Sequence, residues 1–362
     1  MTVYPPMHPE PPAAVRRLVG ICARPALDAT SDERLIDALG EPMDGEAVLS
    51  FGAHEGMLSL LARHLGSREL TGLPLASLVA VRLRARSVAR AQQAVLEQIA
   101  GALAGAGIRM MPLKGAALAR TVYAEPGDRP MGDLDLLVAP EDVQRSHALL
   151  TSGGFATVPG PGGRQHLDAL ALVHKGVTVR VELHHRALWN DLTQQLPQLW
   201  ARGVELDGLS GARAAEPLVL LWQVFHHAFR SQIYWVPFRL IWVADVVGLV
   251  NTYGAGLDWS RARAEFGTMT RTLPLLDAIT PLPRPLLDAC GVAPRLARAG
   301  STYRGWPRQR LRSADGLDLG VASETIWPSA WWLALRYGLG TSLPRRALAR
   351  VIHAGTLASH AW

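Results

Sequence analysis

Residues 133–138 read Asp-Leu-Asp-Leu-Leu-Val, two carboxylates one residue apart at the start of an apolar run. On an extended strand, residues i and i+2 share a face. Asp133 and Asp135 therefore point one way, while Leu134, Leu136 and Val138 point the other and carry the segment into a core. Two like charges held that close repel unless a cation lies between them. Hard oxygen donors of this kind suit Mg²⁺ or Mn²⁺. An isolated Asp-x-Asp is also ordinary solvated surface, so the flanking residues have to separate the two readings.

Those flanks are informative. Leu113-Lys114-Gly115 follows the apolar run 108–112, expected to be a short strand. Residues 115–123 suit a helix that begins at a glycine turn and offers backbone N–H groups to phosphate. Arg129-Pro130-Met131-Gly132 leads directly into the carboxylates, which open a strand over 133–138. Pro140-Glu141-Asp142 starts a helix running to Gly153-Gly154. A strand over 155–158 and a Gly/Pro loop at 159–165 precede a hairpin of 169–174 and 177–184, turning at Lys175-Gly176. In its second arm Val177, Val179, Val181 and Leu183 alternate with Thr178, Arg180, Glu182 and His184. Glu182 thus occupies a polar face, where it can join Asp133 and Asp135 from a neighbouring strand.

Leu113-Lys114-Gly115, then Arg129-Pro130-Met131-Gly132-Asp133-Leu134-Asp135-Leu136-Leu137-Val138, then Val181-Glu182-Leu183-His184 resembles the DNA polymerase β-type nucleotidyltransferase superfamily. The match is to its uncharacterised nucleotidyltransferase branch and covers roughly 105–190. The resemblance implies an α+β fold, with a small mixed sheet and helices flanked by mainly helical regions. It implies Asp133, Asp135 and Glu182 as catalytic residues and metal ligands. It implies Lys114, Gly115, Arg129 and Gly132 at the nucleotide, with His184 near the acceptor or in a supporting position. Arg129 is read two ways, as a phosphate fork or as a loop lock pairing with Glu125 or Asp128. His166 resembles a histidine of the branch and carries no assigned role. The implied cofactor is Mg²⁺ (or Mn²⁺), with a nucleoside triphosphate, ATP first, as co-substrate. The acceptor would be a small molecule, a peptide or protein, or a tRNA, and a natural-product tailoring role fits the branch. Two departures, Ala116 in place of the usual Ser or Gly and the long 116–132 connection, support the alternative of a non-catalytic scaffold on the same fold.

Composition sets the frame. A chain of 362 residues with 49% hydrophobic and 19% charged residues is long and apolar enough for several packed regions. Cys22 and Cys290 form no framework or metal knuckle, and a cytoplasmic location is the expectation. The pI of about 9.8 tolerates a polyanionic partner, but the basic residues are spread along the chain rather than clustered. Of 37 basic residues only Lys114 and Lys175 are lysine, so Lys114 stands out where a compact ammonium would meet phosphate.

The expected organisation is a flexible Pro-rich tail over 1–12, a helical region over 13–105, the nucleotidyltransferase core at 106–190, and a helical domain at 191–362. Residues 75–104 carry apolar side chains at three- and four-residue spacing. Residues 216–250 read as two buried helices, with His226 and His227 as core histidines. No uninterrupted apolar run reaches the ~18 residues of a membrane span. The tryptophans of 326–362 are expected in a core, with an amphipathic surface helix as the competing reading.

Overall fold

The computed structural model describes residues 11–66, 68, 75–159, 166–186, 196–231, 239–291, 312–313, 316–317, 326–339 and 342–360. Residues 1–10 of the expected Pro-rich tail and most of the 159–165 loop lie outside these. The chain divides into two compact units. Ala76–Gln223 form one, and the described parts of Tyr4–Leu75 and Val224–Trp362 form the other.

The first unit holds a five-stranded mixed sheet. Its strands are β1 (Met111–Pro112), β2 (Leu134–Leu137), β3 (Ala156–Val158), β4 (Ala169–His174) and β5 (Val177–His184), in the order β1-β2-β5-β4-β3. β2 pairs antiparallel with β1 and parallel with β5, so it is a central strand, and all four of its residues are buried. The register sets Asp135 against Glu182 and Leu137 against His184. Burial along β5 follows its alternation: Val179, Val181 and Leu183 are buried, whereas Thr178 is exposed. The hairpin turns at Lys175-Gly176 as expected from that pattern.

The helices described in this unit include α5 (Leu75–Gly105), α6 (Lys114–Thr121), α7 (Val143–Ser152) and Leu196–Arg202. Alanine, leucine and arginine, all strong helix formers, sustain α5 over 31 residues. The segment after residue 187 is not helical throughout. Val204–Glu205 pairs with Arg213–Ala214, and Met110 bridges to Ala212, so a short ribbon extends the edge beside β1. Two-residue strands are set by tertiary contact and leave no periodicity in a sequence.

The second unit is mainly helical. It contains α1 (Ala13–Ile21), α2 (Ala29–Leu39), α3 (Gly45–His54), α4 (Leu58–Leu65) and later helices including Leu240–Tyr253, Ala330–Tyr337 and Leu343–His360. Polar groups fasten its sequence-distant parts. The fully buried Arg24 donates to the Pro281 carbonyl at 2.7 Å. The Glu55 carboxylate accepts the Leu240 N–H at 2.9 Å, satisfying a donor at the start of an otherwise apolar helix. Trp331 and Trp332 are each 3% exposed, as expected of core tryptophans, whereas Trp327 is 67% exposed and lies under the Arg350 guanidinium. His226 is a half-buried imidazole whose pKa is pushed down to about 3, by desolvation first and then by Arg230 and Arg336. Among the described residues, no helix is long and apolar enough to cross a membrane.

His64 gives this unit a pH dependence. Its Nε2–H donates to the Arg24 carbonyl at 2.8 Å, and burial pushes its pKa down to about 4 despite that bond. The unfolded chain therefore binds a proton at His64 near its ordinary value, while the folded chain refuses it until about pH 4. Stability is full above that ordinary value, falls as pH drops, and levels off below about pH 4. The expected loss from this residue is about 2 kcal/mol by pH 5. Urea unfolding at pH 7.5 and pH 5 should show a smaller pH-dependent loss for His64→Gln than for the wild type, and equal losses would refute the assignment.

Candidate active site

The site forms where β1 ends, β2 begins and β5 passes alongside. Leu113 continues the β1–β2 ladder by donating to the Asp135 carbonyl at 2.9 Å, and the chain then turns into α6 at Lys114. Lys114 has φ 45°, a left-handed conformation that costs a non-glycine residue roughly 1–2 kcal/mol. The turn brings its Nζ to 2.9 Å from Asp135 Oδ2. Asp135 Oδ1 accepts from His184 Nε2, also at 2.9 Å. Both oxygens of a buried carboxylate are therefore engaged, one by a charge and one by an imidazole.

Glu182 lies next to Asp135 in the β2–β5 register. Its Oε1 is 3.4 Å from Arg180, and its Oε2 is 3.8 Å from both His184 Nε2 and His166 Nε2. Asp135, Glu182 and His184 offer ligand atoms that all lie within 4.8 Å of one another. Asp133 stands just outside β2, whose ladder starts at Leu134 rather than at 133 as expected. The residue before it, Gly132, is exposed and borders open space.

The electrostatics express an excess of negative charge. Burial opposes ionisation of Asp135, yet Lys114 and then His184 outweigh it and hold the carboxyl well below its ordinary range. Burial likewise works against the Lys114 ammonium, but Asp135, followed by Asp133 and Glu182, holds it above its ordinary value. Asp133 bears the remainder. Its pKa is pushed up to about 6 by burial, then by the charges of Asp135 and Glu182. Lys114 and Arg180 are the cations set against these three carboxylates. Oxygen-rich donors with unrelieved negative charge fit a divalent cation.

The connection from α6 to β2 is braced by α5. Arg86 grips Glu125 through two hydrogen bonds of 2.6 and 2.7 Å, and Arg82 adds one of 3.2 Å. Gln92 donates to the Met131 carbonyl at 3.0 Å. Gly127 permits a close approach, because a Cβ there would sit 3.1–3.2 Å from the α5 backbone at Ala85 and Arg86. Glu125 thus belongs to Arg82 and Arg86. Arg129 is buried, with its Cζ 3.6 Å from where a Gly115 Cβ would lie, and the Met131 side chain approaches the same point to 2.9 Å. A side chain at Gly115 would therefore force the Met131 side chain to shift, whereas Arg129 is at ordinary contact distance.

All the anticipated site residues except Gly132, which borders open space, are linked by these contacts or charges. His166, noted in the sequence without an assigned role, joins them, with its ring centroid 5.2 Å from that of His184. The brace residues Arg82, Arg86 and Gln92 were unmarked, although an Arg pair at i, i+4 opposite an acidic loop is a readable signal.

The geometry is thus a carboxylate pair in register on adjacent parallel strands of a small mixed sheet, beside a lysine at a helix start. The family of uncharacterised nucleotidyltransferases matches residues 41–280, more than half of the chain, and the chain belongs to it. Among solved structures it is similar to an antigenic nucleotidyltransferase-like protein from Paracoccidioides brasiliensis, at 16% identity and TM-score 0.35, covering 56% of this chain and 98% of that one. It is also similar to the Megavirus polyadenylate synthase, at 14% identity and TM-score 0.34, covering 62% of this chain and 55% of that one. No curated protein matches the chain.

The buried charge has a measurable cost. Between the ordinary aspartate pKa and about pH 6 the folded state binds the extra proton at Asp133, so stability falls as pH rises through that window. Asp133→Asn removes the penalty and should stabilise the protein by about 1–2 kcal/mol at pH 8, with the gain vanishing near pH 4. Thermal unfolding at both pH values checks this, and destabilisation at pH 8 would contradict it.

Proposed function

We propose that this protein transfers a nucleoside monophosphate from a nucleoside triphosphate, ATP first among them, to a hydroxyl or phosphate acceptor. The observation that carries the reading is the in-register pair of Asp135 and Glu182, flanked by Asp133 and countered by Lys114. Asp133, Asp135 and Glu182 would hold Mg²⁺ or Mn²⁺, which supplies charge neutralisation for the triphosphate and for the activated acceptor oxygen.

The chain's own groups do the rest. Phosphoryl and nucleotidyl transfer depend on positioning and charge stabilisation more than on covalent chemistry. The start of α6, where Ala116 N–H already donates to the Leu113 carbonyl but no side chain caps the helix, would offer its remaining first-turn N–H groups to phosphate oxygens. Lys114 adds a compact ammonium, and the buried Arg129, close over Gly115, a guanidinium. Gly132 leaves room where the loop meets open space. The acceptor oxygen bonds to the α-phosphorus, the bond to pyrophosphate breaks, and Glu182 would receive the acceptor's proton. His184 keeps the Asp135 carboxylate oriented through its 2.9 Å hydrogen bond. A small molecule, a peptide or protein side chain, and a tRNA end are the acceptor classes to test, and a tailoring role follows from the first two.

Calorimetric titration of the four ribonucleoside triphosphates, each with Mg²⁺ or Mn²⁺, tests the donor half. One nucleotide should bind the wild type, and binding should vanish in Asp133→Ala/Asp135→Ala. Glu182→Gln should retain nucleotide affinity within several-fold but lose transfer from labelled donor by ~10²-fold or more. Failure of folded wild type to bind any of the four would instead favour a non-catalytic scaffold.

A further inference from the structure

The β4–β5 register and the position of His166 do not agree with each other, and the mismatch has a consequence at the site. Leu170 opposes Val181 in that ladder, so an unbroken ladder would set His166 opposite His185. His166 instead bridges to His184, one residue out of step. Side chains alternate in an extended strand, so a slip of one residue turns a side chain to the other face. In unbroken register His166 would share the core face of Leu170, which is fully buried. The slip delivers it to the polar face, with Glu182 and His184. Irregularities of this kind commonly re-aim a side chain beside a functional site.

The ring is also fixed in orientation. His166 Nδ1 lies 2.8 Å from the Leu167 carbonyl, which can only accept, so Nδ1 carries the hydrogen. In its neutral form the ring then turns a lone pair toward Glu182 Oε2, 3.8 Å away. A metal ion bridging the two atoms, or a proton on Nε2, relieves that contact. His184 is arranged differently. Its Nε2–H is committed to the Asp135 carboxylate, and its buried Nδ1 has no hydrogen-bond partner. A metal-binding imidazole ordinarily donates its second N–H to an oxygen, a condition that His166 meets through Leu167 and His184 does not.

We propose that His166 Nε2 is a metal ligand acting with Glu182, so that this site takes a divalent transition-metal ion such as Mn²⁺ in preference to Mg²⁺. The inference rests on the nucleotidyltransferase reading of the carboxylates and adds a nitrogen donor to it. Magnesium favours an all-oxygen shell, whereas manganese and later first-row ions accept imidazole.

The test uses the full chain and Mn²⁺ alone, read by calorimetry and by the nitrogen hyperfine signature of bound Mn²⁺ in pulsed electron paramagnetic resonance. Wild type should bind Mn²⁺ more tightly than Mg²⁺ and show an imidazole nitrogen on the metal. His166→Gln and His166→Ala, checked for folding by circular dichroism, should lose that signature and weaken Mn²⁺ binding by about tenfold or more, while changing Mg²⁺ binding less than threefold. Asp135→Asn should abolish binding of both ions. A nitrogen signature that survives His166→Gln and disappears in His184→Gln would overturn the assignment in favour of His184. Bound Mn²⁺ without any nitrogen signature, still lost in Asp135→Asn, would overturn the histidine ligand and leave the carboxylate site standing. Absence of metal binding by folded wild type would overturn both.

Discussion

The ion pair between Lys114 and Asp135 is the interaction on which the rest of the site depends. β2 is a central strand, and its parallel pairing with β5 forces Asp135 and Glu182 side by side. A buried pair of like charges would push the strands apart or stay protonated. The Lys114 ammonium removes one of those outcomes by holding Asp135 ionised. The surplus then appears at Asp133, at the mouth of the strand, where a ligand can relieve it. The arrangement keeps one carboxylate fixed and another electrostatically unsettled, as expected for a site that trades stability for binding.

Holding that arrangement requires a rigid approach to β2, which α5 supplies. Two arginines one turn apart clamp Glu125, a glycine lets the backbone of the connection touch the helix, and Gln92 catches Met131 just before the carboxylates. The connection is long, but it is tied to the helix at three separate points, so length does not translate into looseness here. The brace also explains why Glu125 is unavailable to Arg129. Paired with Arg86 first and Arg82 second, the Glu125 carboxyl is drawn down to about 2.

Much of the sheet was legible because period-two patterns and turn residues are local signals. The hairpin at Lys175-Gly176, the alternation of β5, and the burial of Leu134, Leu136 and Val138 all follow from side-chain order. The nearness of Glu182 to Asp135 was suggested by polarity on one face and fixed by strand pairing. Features set by register were not legible. The placement of His166 depends on a one-residue slip between β4 and β5, and nothing in the residue types around 166 announces it. Asp133 was expected within the strand, but the ladder begins one residue later, at Leu134↔Val181, because pairing rather than alternation sets a strand's end. The ribbon at 204–205 and 213–214 has two residues per arm, too few for any pattern to register.

The two lysines of this arginine-rich chain are also the two described non-glycine residues with positive φ, at 45° and 48°. At Lys114 the coincidence has a steric basis. The turn into α6 must swing a cation onto Asp135 while the Met131 side chain crowds the next residue, 2.9 Å from where a Gly115 Cβ would lie. A guanidinium needs a planar, bidentate approach, and the second oxygen of Asp135 is already taken by His184. A single rotatable ammonium fits one free oxygen, and the charge contact offsets the strained backbone that positions it. The same compactness suits a group that has to accommodate an incoming phosphate without a wholesale change of side-chain geometry. Composition, backbone strain and site chemistry therefore converge on one residue, and an Arg at position 114 would preserve the charge while losing the fit.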